Sequence, residues 1–141
     1  MSMKKRFLKL ITIACGLGVA PLGFAANCSS TISNNAVANL TVPAGATCTL
    51  NSTSVDGNVN VLNGGSLIFN NSSVSGNVQA NTAKVLKLVN SSVEGDVLAG
   101  QVSSTLSLNK SMISGNLQCS TLTKLQSSMS SVEGKTTGKC R

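Results

Sequence analysis

The chain contains no histidine, tryptophan or tyrosine, and among its 141 residues only three are phenylalanine, two proline and four acidic. Each shortage removes a class of function. Without histidine, no pair of cysteines can be completed into a mixed Cys/His metal site. Without a free aromatic ring, nothing is available to stack on nucleic-acid bases or to hold a sugar. Long apolar runs are missing too. The most apolar stretch, Leu10–Leu22, is short for a bilayer and is interrupted by glycines and Pro21. No apolar stripe at i, i+3, i+4 runs far enough for an amphipathic helix.

The basic residues that are present cluster at the ends. Lys4, Lys5, Arg6 and Lys9 head the apolar stretch, and Gly23-Phe24-Ala25 follows it as a small-x-small site. This is the layout of a signal peptide spanning residues 1–25, cut after Ala25. Cleavage leaves no membrane span and predicts an exported protein that is periplasmic, cell-surface or extracellular. It also removes four of the eleven basic residues, so seven face four acids, a net of +3. That modest charge, with no base-stacking aromatic, argues against nucleic acid as a partner. About 115 residues remain, enough for one domain.

What fills those residues is a repeat. NSSVSGNV at 71–78 returns as NSSVEGDV at 90–97. The marker Val-x-Gly-x-Val places glycines at Gly57, Gly76, Gly95, Gly115 and Gly134, with spacings of 19, 19, 20 and 19. AVANLTV is a degenerate earlier copy in which Ala38 stands for the glycine. Aligned on the glycine, the copies sort into apolar columns. Val55, Val74, Val93, Ile113 and Val132 stand two before it; Val59, Val78, Val97 and Leu117 stand two after. Cys48, Leu67, Leu86, Leu106 and Leu125 lie nine before, and Leu50, Phe69, Leu88 and Leu108 seven before. Polar residues separate the columns, which is the alternation of a strand with one buried face.

The expected fold is therefore all-β: a single-stranded parallel β-helix, or β-solenoid, of about five to six coils of 19–20 residues. Coils stack about 4.8 Å apart, so the rod is roughly 25–30 Å long. Residues 26–38 are assigned as an N-terminal cap that folds over the first coil, 39–138 as repeats and 139–141 as a tail. The repeat glycines are expected to mark bends whose backbone shape side chains resist. The residues after them, Asn58, Asn77, Asp96 and Asn116, are types that tolerate left-handed conformations. The pairs Thr53-Ser54, Ser72-Ser73, Ser91-Ser92 and Ser130-Ser131 predict a polar column able to hydrogen-bond along the rod.

These columns resemble right-handed parallel β-helix proteins of the pectin-lyase-like superfamily, and the V-x-G-N-V phrase also resembles bactofilin repeats. The likeness covers roughly residues 36–138 and rests on the repeat pattern. It implies a right-handed coil. Bactofilins are cytosolic filament formers, whereas this chain begins with an export signal.

Four cysteines survive cleavage: Cys28, Cys48, Cys119 and Cys140. The coil period selects among their three pairings. Cys28 to Cys48 is 20 residues and Cys119 to Cys140 is 21, each close to one turn, so each pair lies side by side. One bridge is expected at each end, contributing about 3 kcal/mol.

Other signals read as structural. Asn-x-Ser/Thr sequons at Asn27, Asn39, Asn51, Asn70, Asn71, Asn90 and Asn109 fit an Asn/Ser ladder better than glycosylation. The superfamily resemblance invites a search for a calcium-binding carboxylate cluster. Asp56, Glu94 and Glu133 share a column but stand two coils apart, about 9.5 Å. Glu94 and Asp96 flank Gly95, and two carboxylates are thin coordination for Ca²⁺. No catalytic residue, metal ligand or cofactor is expected, and the chain is read as not an enzyme. The leading expectation is an exported, non-catalytic structural or adhesive module. Its flat Ser/Thr/Asn faces suit a surface partner, either a glycan or a protein. A self-assembling filament or amyloid-like subunit and a small polysaccharide-active enzyme are the alternatives.

Overall fold

The computed structural model describes residues 25–140; the expected signal peptide otherwise lies outside the described residues. Every regular element among them is a strand, and every pairing is parallel. The chain winds through three sheets in turn and returns to the first once per coil. A long sheet of six strands comprises Thr31–Ser33, Thr47–Asn51, Ser66–Asn70, Val85–Val89, Thr105–Asn109 and Leu125–Ser128. A short sheet of six two-residue strands runs from Ala36–Val37 to Ser131–Val132. The third has seven strands, from Ala25–Asn27 to Thr136–Thr137. The cross-section is a triangle with one sheet per side. The expected β-solenoid is what forms, with about six coils.

Register explains why this sequence closes into that shape. Leu50 pairs with Phe69, Phe69 with Leu88, and Leu88 with Leu108, so one inward column of the long sheet is a continuous apolar stack. Val55, Val74, Val93 and Ile113 stack in the same way on the short sheet, and Leu40, Val59, Val78, Val97 and Leu117 on the third. All of these side chains are buried. Side chains alternate across a strand, so the residues between them face outward, and the burial of Val85–Val89 follows that alternation. Each coil presents an apolar face that only its neighbours can cover, so stacking is the condition for folding at all.

The single 20-residue spacing has a definite location. Up to Leu98 the fourth and fifth coils pair at an offset of 19, and from Thr105 at 20. The extra residue therefore sits in the turn before Thr105, where Ser104 and Thr105 both donate to the Lys84 carbonyl. A corner absorbs the insertion, and the columns on either side stay in phase.

The N-terminal end is built differently from what the sequence predicts. Residues 25–38 do not fold across the first coil. They supply one strand to each sheet, in register with the next coil, and so form a coil of their own. At the far end, Thr136–Thr137 pairs with Leu117–Gln118, and the Lys139 carbonyl accepts a hydrogen bond from the Leu125 N–H. Disulfides join Cys28 to Cys48 and Cys119 to Cys140, both with Cα atoms 5.4 Å apart. Each bridge ties a terminal coil, which among the described residues has a neighbour on one side only, to the coil inside it. Two bridges in so small a chain suit an oxidising compartment.

Candidate functional surfaces

With the core apolar, any chemistry must lie on the three faces and the corners between them. The corner joining the short and third sheets carries the repeat glycines. Their expected backbone role is corrected by the structure: none of the five has a positive φ. The left-handed residues other than glycine are Asn34, Ser52, Asn71, Asn90, Lys110 and Met129, one per coil, at the corner between the long and short sheets. Glycine is required for closeness. A Cβ on Gly95 would run into Asn77 Oδ1 and the backbone of Gly76, and the same overlap recurs at Gly76, Gly115 and Gly134. Each glycine N–H donates to the glycine carbonyl one coil earlier, at 3.0–3.2 Å from Gly76 to Gly134.

The residues after the glycines complete this corner. Asn39 Oδ1 accepts from the Asn58 N–H at 2.9 Å, and Asn58 Oδ1 from the Asn77 N–H at 2.9 Å. The ladder continues from Asn77 to Asp96 at 2.7 Å, from Asp96 to Asn116 at 2.8 Å, and from Asn116 to Lys135 at 2.8 Å. These side chains serve as acceptors for N–H groups that the sharp corner takes out of the sheets. Asp96, a candidate for cation binding by sequence, is one rung of the ladder. Its partner in that idea, Glu94, lies in the column with Asp56 and Glu133, where Ser75 and Ser114 occupy the intervening coils. Among the described residues, no three His, Cys, Asp or Glu side chains converge.

A second ladder runs inside the long–short corner, where the hydroxyl column was expected. It consists of the first residue of each pair together with Ser111, which the pairwise reading overlooked because Met112 follows it. The Thr53 N–H donates to Ser72 Oγ at 3.2 Å, Ser72 N–H to Ser91 Oγ at 3.1 Å, and Ser91 N–H to Ser111 Oγ at 3.2 Å. Ser111 N–H donates to Ser130 Oγ at 2.9 Å. Each hydroxyl in turn donates to the carbonyl two residues back, as Ser72 does to Asn70 at 2.9 Å. Thr53, Ser72, Ser91 and Ser111 are buried, so the N–H to hydroxyl bonds from Thr53 to Ser111 are made away from water. Replacing Ser72 with alanine strands the Thr53 N–H and is expected to lower stability by about 2 kcal/mol, measurable by urea denaturation.

The sequons divide between these roles. Asn71 and Asn90 take the left-handed bend, while Asn51 and Asn70 lie outward on the long sheet, where Asn70 Nδ2 donates to Asn51 Oδ1 at 2.9 Å. Beside the bend, the outward serines Ser73, Ser92 and Ser131 border a shallow open groove along the short face. Met112 and Met129 also line it, and Met129 is 74% exposed. The groove floor is the buried serine ladder, whose hydroxyls are already committed to backbone partners.

Comparison with models of known families, with curated proteins and with solved structures finds no match for this chain.

Proposed function

We propose that the chain is an exported, non-catalytic β-solenoid that acts as a structural or adhesive binding module in the periplasm or at the bacterial cell surface. The observation that carries this reading is the use made of its polar side chains. Asn, Asp, Ser and Thr at the corners are spent on holding one coil to the next. What remains outward is a regular array of hydroxyls and amides, better suited to an extended partner, glycan or protein, than to a small substrate. The two bridges and the basic, apolar N-terminal segment support export. The likeness of the repeat to pectin-lyase-like β-helices and to bactofilins enters here as a likeness of winding; function lives in sites rather than in folds.

Fractionation of cells into cytosol, periplasm, outer membrane and medium tests the reading, with the two bridges assayed in each fraction. Recovery of oxidised, shortened chain outside the cytosol is expected. Reduced, full-length chain in the cytosol would overturn it. A second reading, end-to-end self-association, draws on the outer edges of Leu125–Ser128 and Ser131–Val132, which have no strand beyond them among the described residues. Filaments in electron micrographs of the purified protein would favour it.

A further inference from the structure

The described lysines and acids are interleaved along the chain, yet the triangle separates them. Asp56, Glu94 and Glu133 each precede a repeat glycine and Asp96 follows one. All four acids therefore stand at the corner between the short and third sheets, the vertex opposite the long face. The lysines lie the other way. Lys87 points outward from the middle of the long strand Val85–Val89, between the buried Leu86 and Leu88. Lys84 and Lys124 are exposed just ahead of the long strands Val85–Val89 and Leu125–Ser128, and Lys110 is exposed just after Thr105–Asn109, at the corner where it also lines the short-face groove. Lys139 joins them, since its carbonyl accepts from Leu125 at the start of the last long strand. Of the described lysines only Lys135 belongs to the acidic vertex, at the end of the Asn/Asp ladder.

We propose that the long face is a docking surface for an anionic phospholipid bilayer, on which the rod lies flat. This rests on the proposed exported binding module and goes beyond the glycan or protein partner named there. Three features favour a lipid plane. The first is shape: the long strands pair residue against residue from Thr47 to Asn109 without a bulge, so Lys87 rises from an even sheet whose two edges carry the other lysines. The second is polarity. Placing every acid at the far vertex gives the molecule a charge asymmetry across the rod, which orients this face toward a negative plane and turns the acids to solvent. The third is what surrounds the lysines. Outward neighbours are Ser107, Thr105 and Asn109, with half-buried Ile68, Val85 and Val89 around the Lys87 stem. That composition allows hydrogen bonds to headgroups and a snorkelling lysine, and the exposed Leu62 and Leu122 stand in the turns leading into two of the long strands. Nucleic acid is disfavoured because the one described aromatic ring, Phe69, is buried.

The test uses disulfide-intact chain recovered after export, with its N-terminus sequenced, in sedimentation with vesicles of phosphatidylglycerol or of phosphatidylcholine alone. Binding to the anionic vesicles only, weakening steadily as salt rises, is expected. Single changes Lys87→Gln or Lys110→Gln should each lower partitioning about fivefold, and the four changes at 84, 87, 110 and 124 together on the order of several hundredfold. Lys135→Gln, which removes the same charge from the opposite vertex, should leave binding nearly unchanged. Circular dichroism and intact bridges confirm that each variant is folded. Equal binding to both vesicle types, an effect of Lys135→Gln as large as that of Lys87→Gln, or binding to soluble heparin without binding to vesicles would each overturn the proposal. None of these results bears on export, which the fractionation judges separately.

Discussion

Gly95→Ala is expected to destabilise the protein by about 3 kcal/mol or more, although it adds a single methyl group at an unstrained φ. The Cβ has two obstacles, and they differ in kind. Asn77 Oδ1 could swing aside at the cost of its bond to the Asp96 N–H. The Gly76 carbonyl cannot, because it accepts from the Gly95 N–H and belongs to a column of backbone locked on both sides. Removing the Asn77 side chain should therefore fail to rescue Gly95→Ala. Gly45→Ala supplies the contrast. Gly45 has φ +73° and open space around its Cβ position, so alanine there meets only backbone strain, about 1 kcal/mol. Urea denaturation followed by far-ultraviolet circular dichroism ranks the two. If Gly95→Ala proves no more damaging than Gly45→Ala, close stacking is not what the glycine column is for.

Phe69→Ala is expected to cost about 4 kcal/mol, the largest effect of any single core truncation here. Phe69 is 1% exposed and is the bulkiest fully buried side chain. It sits in an inward column between Leu50 and Leu88, both held by strand register along five consecutive residues. Neighbours pinned in this way cannot close into the cavity, which places the cost in the upper part of the usual range. The loss also falls on two coil–coil interfaces at once, and in a solenoid those interfaces are the main source of cooperativity. Phe69→Leu restores the residue type of the rest of the column and should cost about 1 kcal/mol. The same denaturation experiment measures both, with the bridges intact. A loss for Phe69→Ala no larger than that for Phe69→Leu would show that the column tolerates a void.

The limits of reading this chain from its letters are clearest at the glycine corner. Two physical situations forbid a Cβ: a left-handed backbone and a neighbour too close to admit one. Both leave glycine in the sequence, and an adjacent asparagine fits either. The sequence expectation chose the first, and the structure places the left-handed residues a corner away, at Asn71, Asn90, Lys110 and their equivalents. Ser111 is hidden in the sequence for a related reason: Met112 follows it, so it forms no Ser/Thr pair, yet only the first residue of each pair carries the ladder. The charge asymmetry was invisible as well. Lys84 and Lys87 stand within a dozen residues of Glu94 and Asp96, and only the assignment of each to a side or a vertex pulls them apart.

The sequence by itself determined the winding, the identity of the inward columns and the pairing of Cys28 with Cys48 and Cys119 with Cys140. A period of one coil makes residues nineteen or twenty apart into spatial neighbours, so one-dimensional spacing carries three-dimensional contact. Tertiary structure alone decided how the corners are built, which polar atoms the ladders consume and which face gathers the lysines. Those outcomes depend on distances between backbones in adjacent coils and on where each bend falls around the triangle, and neither is a function of spacing along the chain.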